Sequence, residues 1–291
     1  MRNDFTYYDL NLGRMSKDIG LLFPNWDGKE TLAVLSPHDD DALLGAGYAM
    51  LAALSEGAEV YIFIFCNGCA GYSTIEEKDS IVEIRKEETR EAYVRLGIDE
   101  DHILRLDYDD FSVAPYLGWH LPGGTEGTLA QSLPKLREID TTRLLIPNGY
   151  REHLDHTAVH QVGAFDGPQV GDPILVDWGE TEPITSFLEY AVWGDFSPED
   201  ALTSGRKTTL RGNRVVEANS AIEQRIRDTI QRFQSQQDII EGLIAHREQR
   251  RFQSGHIEIY LDFDPRPSLN YSPYKEHLES FKREGWLRDA L

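Results

Sequence analysis

Through the first half of the chain, short runs of uninterrupted apolar residues take turns with longer stretches in which apolar and polar positions alternate at helical spacing. That rhythm predicts strands buried on both faces and joined by helices, hence a mostly parallel sheet. TLAVLS at 31–36 and EVYIFIF at 59–65 read as two buried strands, and HILRLDY at 102–108 and RLLIPN at 143–148 as two more. A helix is expected from about Ala42 to Leu54. A second, charged and amphipathic, runs from Lys78 to Leu96 and ends at Gly97, which suits a left-handed helix stop. Residues 109–127, rich in Gly, Pro and aromatics, make a loop of the length that usually carries function. His153 to Phe165 opens another helix.

Farther on the pattern weakens. Residues 171–217 read as irregular strands, and Ala218 to Arg251 as one long helix bent near Gly242. The last forty residues give no pattern. The expected fold is α/β and Rossmann-like, a mostly parallel sheet with helices on both faces plus a C-terminal extension. One domain over 1–291 is expected, with its core at about 30–165 and residues 171–291 packed on it.

Fifty acidic against 29 basic residues give a formal charge of -21, a field that repels nucleic acid and anionic membranes. The longest apolar stretch, Val60 to Cys66, is too short to cross a bilayer as a helix. The first residues lack an apolar core behind basic ones, so a cytoplasmic location is expected. Two cysteines, Cys66 and Cys69, supply no disulfide framework. Their spacing permits a redox pair, but no Trp-containing turn precedes them, and they read as small residues beside a site. Gly45 and Gly47 suggest a dinucleotide loop, yet Met50 holds the third glycine position, which leaves helix packing as the reading.

Two clusters carry candidate chemistry: Pro37-His38-Asp39-Asp40-Asp41 after the first strand, and His153-Leu154-Asp155-His156 after the fourth. Both fall at carboxyl ends of strands, where open α/β sheets bind ligands. Imidazole and carboxylate suit zinc, and three protein ligands with an open position make a catalytic site. His38 and Asp41, three apart at a helix start, can point the same way, and His156 completes the set. Asp40 is placed to take a proton from water. His160, four residues after His156, reads as a packing side chain rather than a fourth ligand. His120, Tyr150 and Trp119 read as surface or half-buried residues, although each could meet a substrate.

The two clusters resemble the paired metal motifs of the PIG-L/LmbE-type N-acetylglucosaminyl deacetylases, a His-Pro-Asp-Asp-Glu segment and a His-x-Asp-His segment. Cys66 to Gly71 resembles that family's Gly-containing loop after the second strand, and Arg85, Glu88, Ala92 and Leu96-Gly97 its helix signature. Asp110 and the segment Phe233 to Gln236 fit in order. The resemblance implies one Zn²⁺ per chain on His38, Asp41 and His156, with Asp40 as general base. It implies protonated His153 as oxyanion stabiliser, Asp155 as the carboxylate that orients a histidine, and Arg85 and Asp110 as sugar contacts. Asp39 replaces the family's proline and Ala42 its glutamate, so a supporting hydrogen bond is absent.

The expected activity is removal of an N-acyl group, acetyl first, from an N-acetylglucosamine-type conjugate, a small-molecule partner; homo-oligomerisation stays open. The alternatives are a metal-dependent hydrolase of non-sugar amides and a catalytically silent carbohydrate-binding or redox protein.

Overall fold

The structure is a computed structural model that describes residues 4–199 and 209–284. Its elements run, in chain order, β1 (Phe5–Asp9), β2 (Arg14–Ser16), β3 (Thr31–Ser36), α1 (Asp41–Ser55), β4 (Glu59–Cys66), α2 (Ile81–Leu96), β5 (Ile103–Tyr108) and α3 (Thr128–Glu138). There follow β6 (Arg143–Pro147), α4 (Leu154–Gln161), β7 (Ser186–Tyr190), β8 (Arg214–Asn219), α5 (Ser220–Ile230), α6 (Gln237–Arg247), β9 (Arg251–Phe252), β10 (Gly255–Asp262) and α7 (Ser272–Glu284). Among the described residues the strands form one sheet in the order β2-β1-β8-β10-β7-β6-β3-β4-β5, with β9 on β10. Strands β7, β6, β3, β4 and β5 are parallel. The pairings of β10, β8, β1, β2 and β9 are antiparallel.

The uninterrupted apolar strands are explained by burial on both faces. Leu32 and Val34 of β3 enter one core with α1, α2 and α5, and Ala33 and Leu35 enter the other with α3 and α4. Gly45 lets α1 lie on the sheet, because a Cβ there would come within 2.4 Å of the Tyr190 ring. Gly97 stops α2 at φ 95°, in the left-handed region that glycine tolerates.

The sheet is mixed, and the expected parallel character belongs to its central strands. β8 and β10, from the region expected to be an extension, join the same sheet as the core strands. The long helix expected over Ala218 to Arg251 is two helices, α5 and α6, with Gly242 inside the second. The break falls at 231–236, where Ser235 donates through its backbone N and its hydroxyl to the Glu88 carboxylate, at 2.7 Å each. Side-chain bonding to α2 there competes with continued helix. The pattern after 109–127 also missed α3, whose helical reading is broken by Pro134.

Candidate active site

Loops from the carboxyl ends of all five parallel strands meet in a cleft of about 510 Å³. β3 brings His38, Asp40 and Asp41; β4 brings Gly68, Ala70 and Gly71; β5 brings Asp110 and Phe111. β6 brings Glu152, His153 and His156, and β7 brings Trp193. Arg85 of α2, Gln236 and Ile239 close the remaining side. All eight sequence-derived site residues gather here; seven line the cleft, and Asp155 sits buried beneath it.

The floor is built from histidines and carboxylates. Ligating atoms of His38, Asp41 and His156 lie within 4.8 Å of one another. The Asp41 carboxylate is 3.0 Å from His38 Nδ1 and 3.0 Å from His156 Nε2. His156 Nε2 is buried without a well-formed hydrogen bond. An orphaned imidazole nitrogen facing a carboxylate, with a second imidazole beside it, is the donor set that a divalent cation satisfies. His38 could also be grouped with Cys66 and Asp110, or with His153 and Asp155. Burial pushes the Cys66 thiol up to about 12, so it is no ready thiolate ligand and no partner in a low-pKa redox pair.

Glu152 was not foreseen. Its Oε2 lies 2.8 Å from His156 Nδ1, and its Oε1 accepts from the backbone N–H groups of Val192, Trp193 and Gly194 at 2.7–2.9 Å. One fully buried carboxylate thus fixes the His156 ring and ties it to the loop bearing Trp193. Its place four residues before His156 is the only signal in the sequence. Asp155 does similar work on the other side. It accepts from Phe111 N at 2.7 Å and Val113 N at 3.3 Å, and its Oδ2 is 3.4 Å from His38 Nε2. Phe111 adopts φ 63° to present that N–H, a strained conformation for a non-glycine residue.

Asp39, which stands where the family's proline would be, is a buried anchor. It receives Arg85 Nε at 2.8 Å, Thr89 Oγ1 at 2.7 Å and an Arg105 guanidinium nitrogen. Burial opposes its charge, but the two arginines win and hold it below the usual carboxylate range. Ser36 supports the same loop, donating to His38 O at 2.6 Å and accepting Ala42 N–H at 3.0 Å. Arg85 and Asp110, expected to meet a sugar, are therefore already engaged: both oxygens of Asp110 accept loop N–H groups, from Gly68 and Ala70, at 2.9 Å.

Protonation differs sharply between neighbours. Burial and the adjacent Asp41 charge raise Asp40 above the ordinary carboxylate value, against the pull of Arg85. Burial would lower both His38 and His156, but the facing carboxylates prevail, and His156 is raised to about 9. Burial and the His38 charge lower His153 below the ordinary histidine value, so it is neutral near pH 7. Its Nδ1 accepts the Asp155 backbone N–H at 3.2 Å, which leaves the ring proton on Nε2. The protonated His153 expected from the resemblance thus meets a site that favours the neutral ring.

His160 rests its Nδ1 3.0 Å from Pro147 O and, among the described residues, joins no ligand cluster. Trp119 and His120 stack on each other, Tyr150 stacks with Arg151, and none of the three lines the cleft.

Residues 33–164 match the PIG-L family, GlcNAc-PI de-N-acetylase. That stretch of the chain is similar to the PIG-L family. Solved structures agree on the fold. A conserved protein of Thermus thermophilus superposes with a TM-score of 0.61 at 21% identity, covering 83% of this chain and 98% of its own. An N,N'-diacetylchitobiose deacetylase of Pyrococcus horikoshii gives 0.62 at 17% identity, covering 81% and 84%. A 4-carboxy-2-hydroxymuconate hydratase of Pseudomonas putida gives 0.59 at 14%, covering 83% and 99%. The PIG-L-type fold thus serves more than one reaction, and the chemistry has to be argued from the site. No curated protein matches this sequence. Among the described residues no helix is long and apolar enough to cross a membrane.

Proposed function

We propose that the protein is a zinc-dependent N-deacylase acting on an N-acetylglucosamine-type conjugate. The observation that carries this reading is the convergence of His38, Asp41 and the orphaned His156 Nε2 beside the buried Asp40, inside the stretch similar to the PIG-L family. The diacetylchitobiose deacetylase shares the fold, which supports the substrate class.

His38, Asp41 and His156 hold the ion, one per chain. Zinc there supplies Lewis acidity, polarising the amide carbonyl and making water acidic enough to attack near neutral pH. Asp40 takes the proton from the attacking water and returns it to the leaving amine, and its raised pKa suits both tasks. Neutral His153 donates its Nε2–H to the developing oxyanion. Asp155 fixes the ring of His38 through its carboxylate and that of His153 through its backbone N–H, and Glu152 fixes that of His156. Arg85 acts on the cleft through Asp39 and Asp40, and Asp110 by shaping the Gly68 to Gly71 wall. A free-amine assay over N-acetylglucosamine conjugates and simple amides, with and without zinc, tests the assignment. Amine is expected from the conjugates alone; release only from simple amides would move the reading to the non-sugar hydrolase.

Two further results are expected. Glu152→Gln should weaken zinc binding by about 10- to 100-fold, the usual cost of losing a carboxylate behind a histidine ligand. Competition with a chromogenic chelator reads this directly, and unchanged affinity would remove Glu152 from the support of His156. Zinc must also displace protons from His38 and His156, whose free-state pKa values are raised. Affinity should therefore climb with pH across this range, because His156 is still half protonated near pH 9, and fall steadily as pH drops. Zinc titrations from pH 6 to 9 showing a flat profile would contradict the ligand set.

A further inference from the structure

Phe111, Trp193 and Ile239 are 59%, 50% and 48% exposed, yet they stand around the mouth of a single cleft. They come from three separate places: the loop after β5, the loop after β7, and α6. Isolated exposed apolar residues need no explanation, but three large ones converging on one opening mark a surface that becomes covered. The walls below them offer little to a bare sugar. Both oxygens of Asp110 accept loop N–H groups, Glu152 is held by three N–H groups and His156, and Gln236 Nε2 donates to Gly71 O and Ser235 O. Polar recognition is concentrated at the floor, and the rim is apolar.

Given the deacylase reading, on which this step rests, we infer that the substrate carries an apolar group, an alkyl chain or aromatic ring, close to its N-acyl amide. Trp193 and Ile239 bind that group. It can enter on the aglycone or as a longer acyl chain, and the chemistry asked of the rim is the same. Phe111 contributes too, but its ring also lies 4.6 Å from that of His153, so it is not a clean test position.

Three compounds separate the cases: methyl N-acetylglucosaminide, its hexyl counterpart, and methyl N-hexanoylglucosaminide. One of the two six-carbon compounds, hexyl or hexanoyl, should exceed the methyl N-acetyl compound by at least about 10-fold in kcat/KM, through KM, as burial of two or more methylenes requires. Which of the two does so identifies the aglycone or the acyl chain as the source. In Trp193→Ala and Ile239→Ser, with zinc content confirmed equal to wild type, that ratio should fall to within about threefold of one. Equal kcat/KM for all three compounds in the wild type, or a ratio that survives both substitutions, overturns the inference and leaves the deacylase reading standing. No amine from any compound overturns that reading, and this one with it.

Discussion

Asp40→Asn should leave zinc bound and lower kcat by about 10²- to 10⁴-fold, the range for loss of a general acid–base group. Asparagine keeps the shape of the side chain and cannot accept a proton. Asp40 differs in kind from its neighbours. Asp39 is neutralised by Arg85 and Arg105, and Asp41 by the facing histidines, which bring both below the usual carboxylate range. Asp40 alone is raised, by burial and by the Asp41 charge. Three consecutive carboxylates thus sit in three different environments. Metal analysis and steady-state kinetics on one preparation check the result; a loss below roughly threefold would assign the base elsewhere.

Asp39→Ala should cost about 3–5 kcal/mol of stability, because it leaves the buried Arg85 with only its longer 3.4 Å contact to Asp40 and Arg105 without its inward partner. The exposed pair Arg90–Glu87 is a control, since solvent screens it and Arg90→Ala should cost far less. Urea denaturation measures both. If the two substitutions cost the same, the Asp39 cluster is not the anchor of the loop that carries His38 and Asp41.

The contrast explains what the sequence could and could not reveal. His38, Asp40, Asp41, His153, Asp155 and His156 were legible because they lie in two compact motifs beside strands buried on both faces, and such strands need no partner information to recognise. Asp39 was legible only as a departure from proline. Its anchoring role depends on Arg105, a β5 residue that lies in an apolar-looking strand and points at a loop 66 residues away. Trp193 was hidden because β7, SFLEY, carries a glutamate in a fully buried strand, so the segment read as irregular. β1 and β8 pair across more than 200 residues. Their alternation says little without knowledge of the partner strand. The split of α5 and α6 likewise follows from a tertiary bond, Ser235 to Glu88, that local propensity does not contain.

On the proposed function, the reaction requires a zinc ion held by His38, Asp41 and His156. Titrating zinc into chelator-stripped protein, while following bound metal and free amine together, tests it most directly. Amine release should be absent from the stripped protein, rise in step with bound zinc and saturate at one ion per chain, whereas His156→Ala should gain neither. Full zinc occupancy in His156→Ala, or undiminished release by stripped wild type, would contradict it.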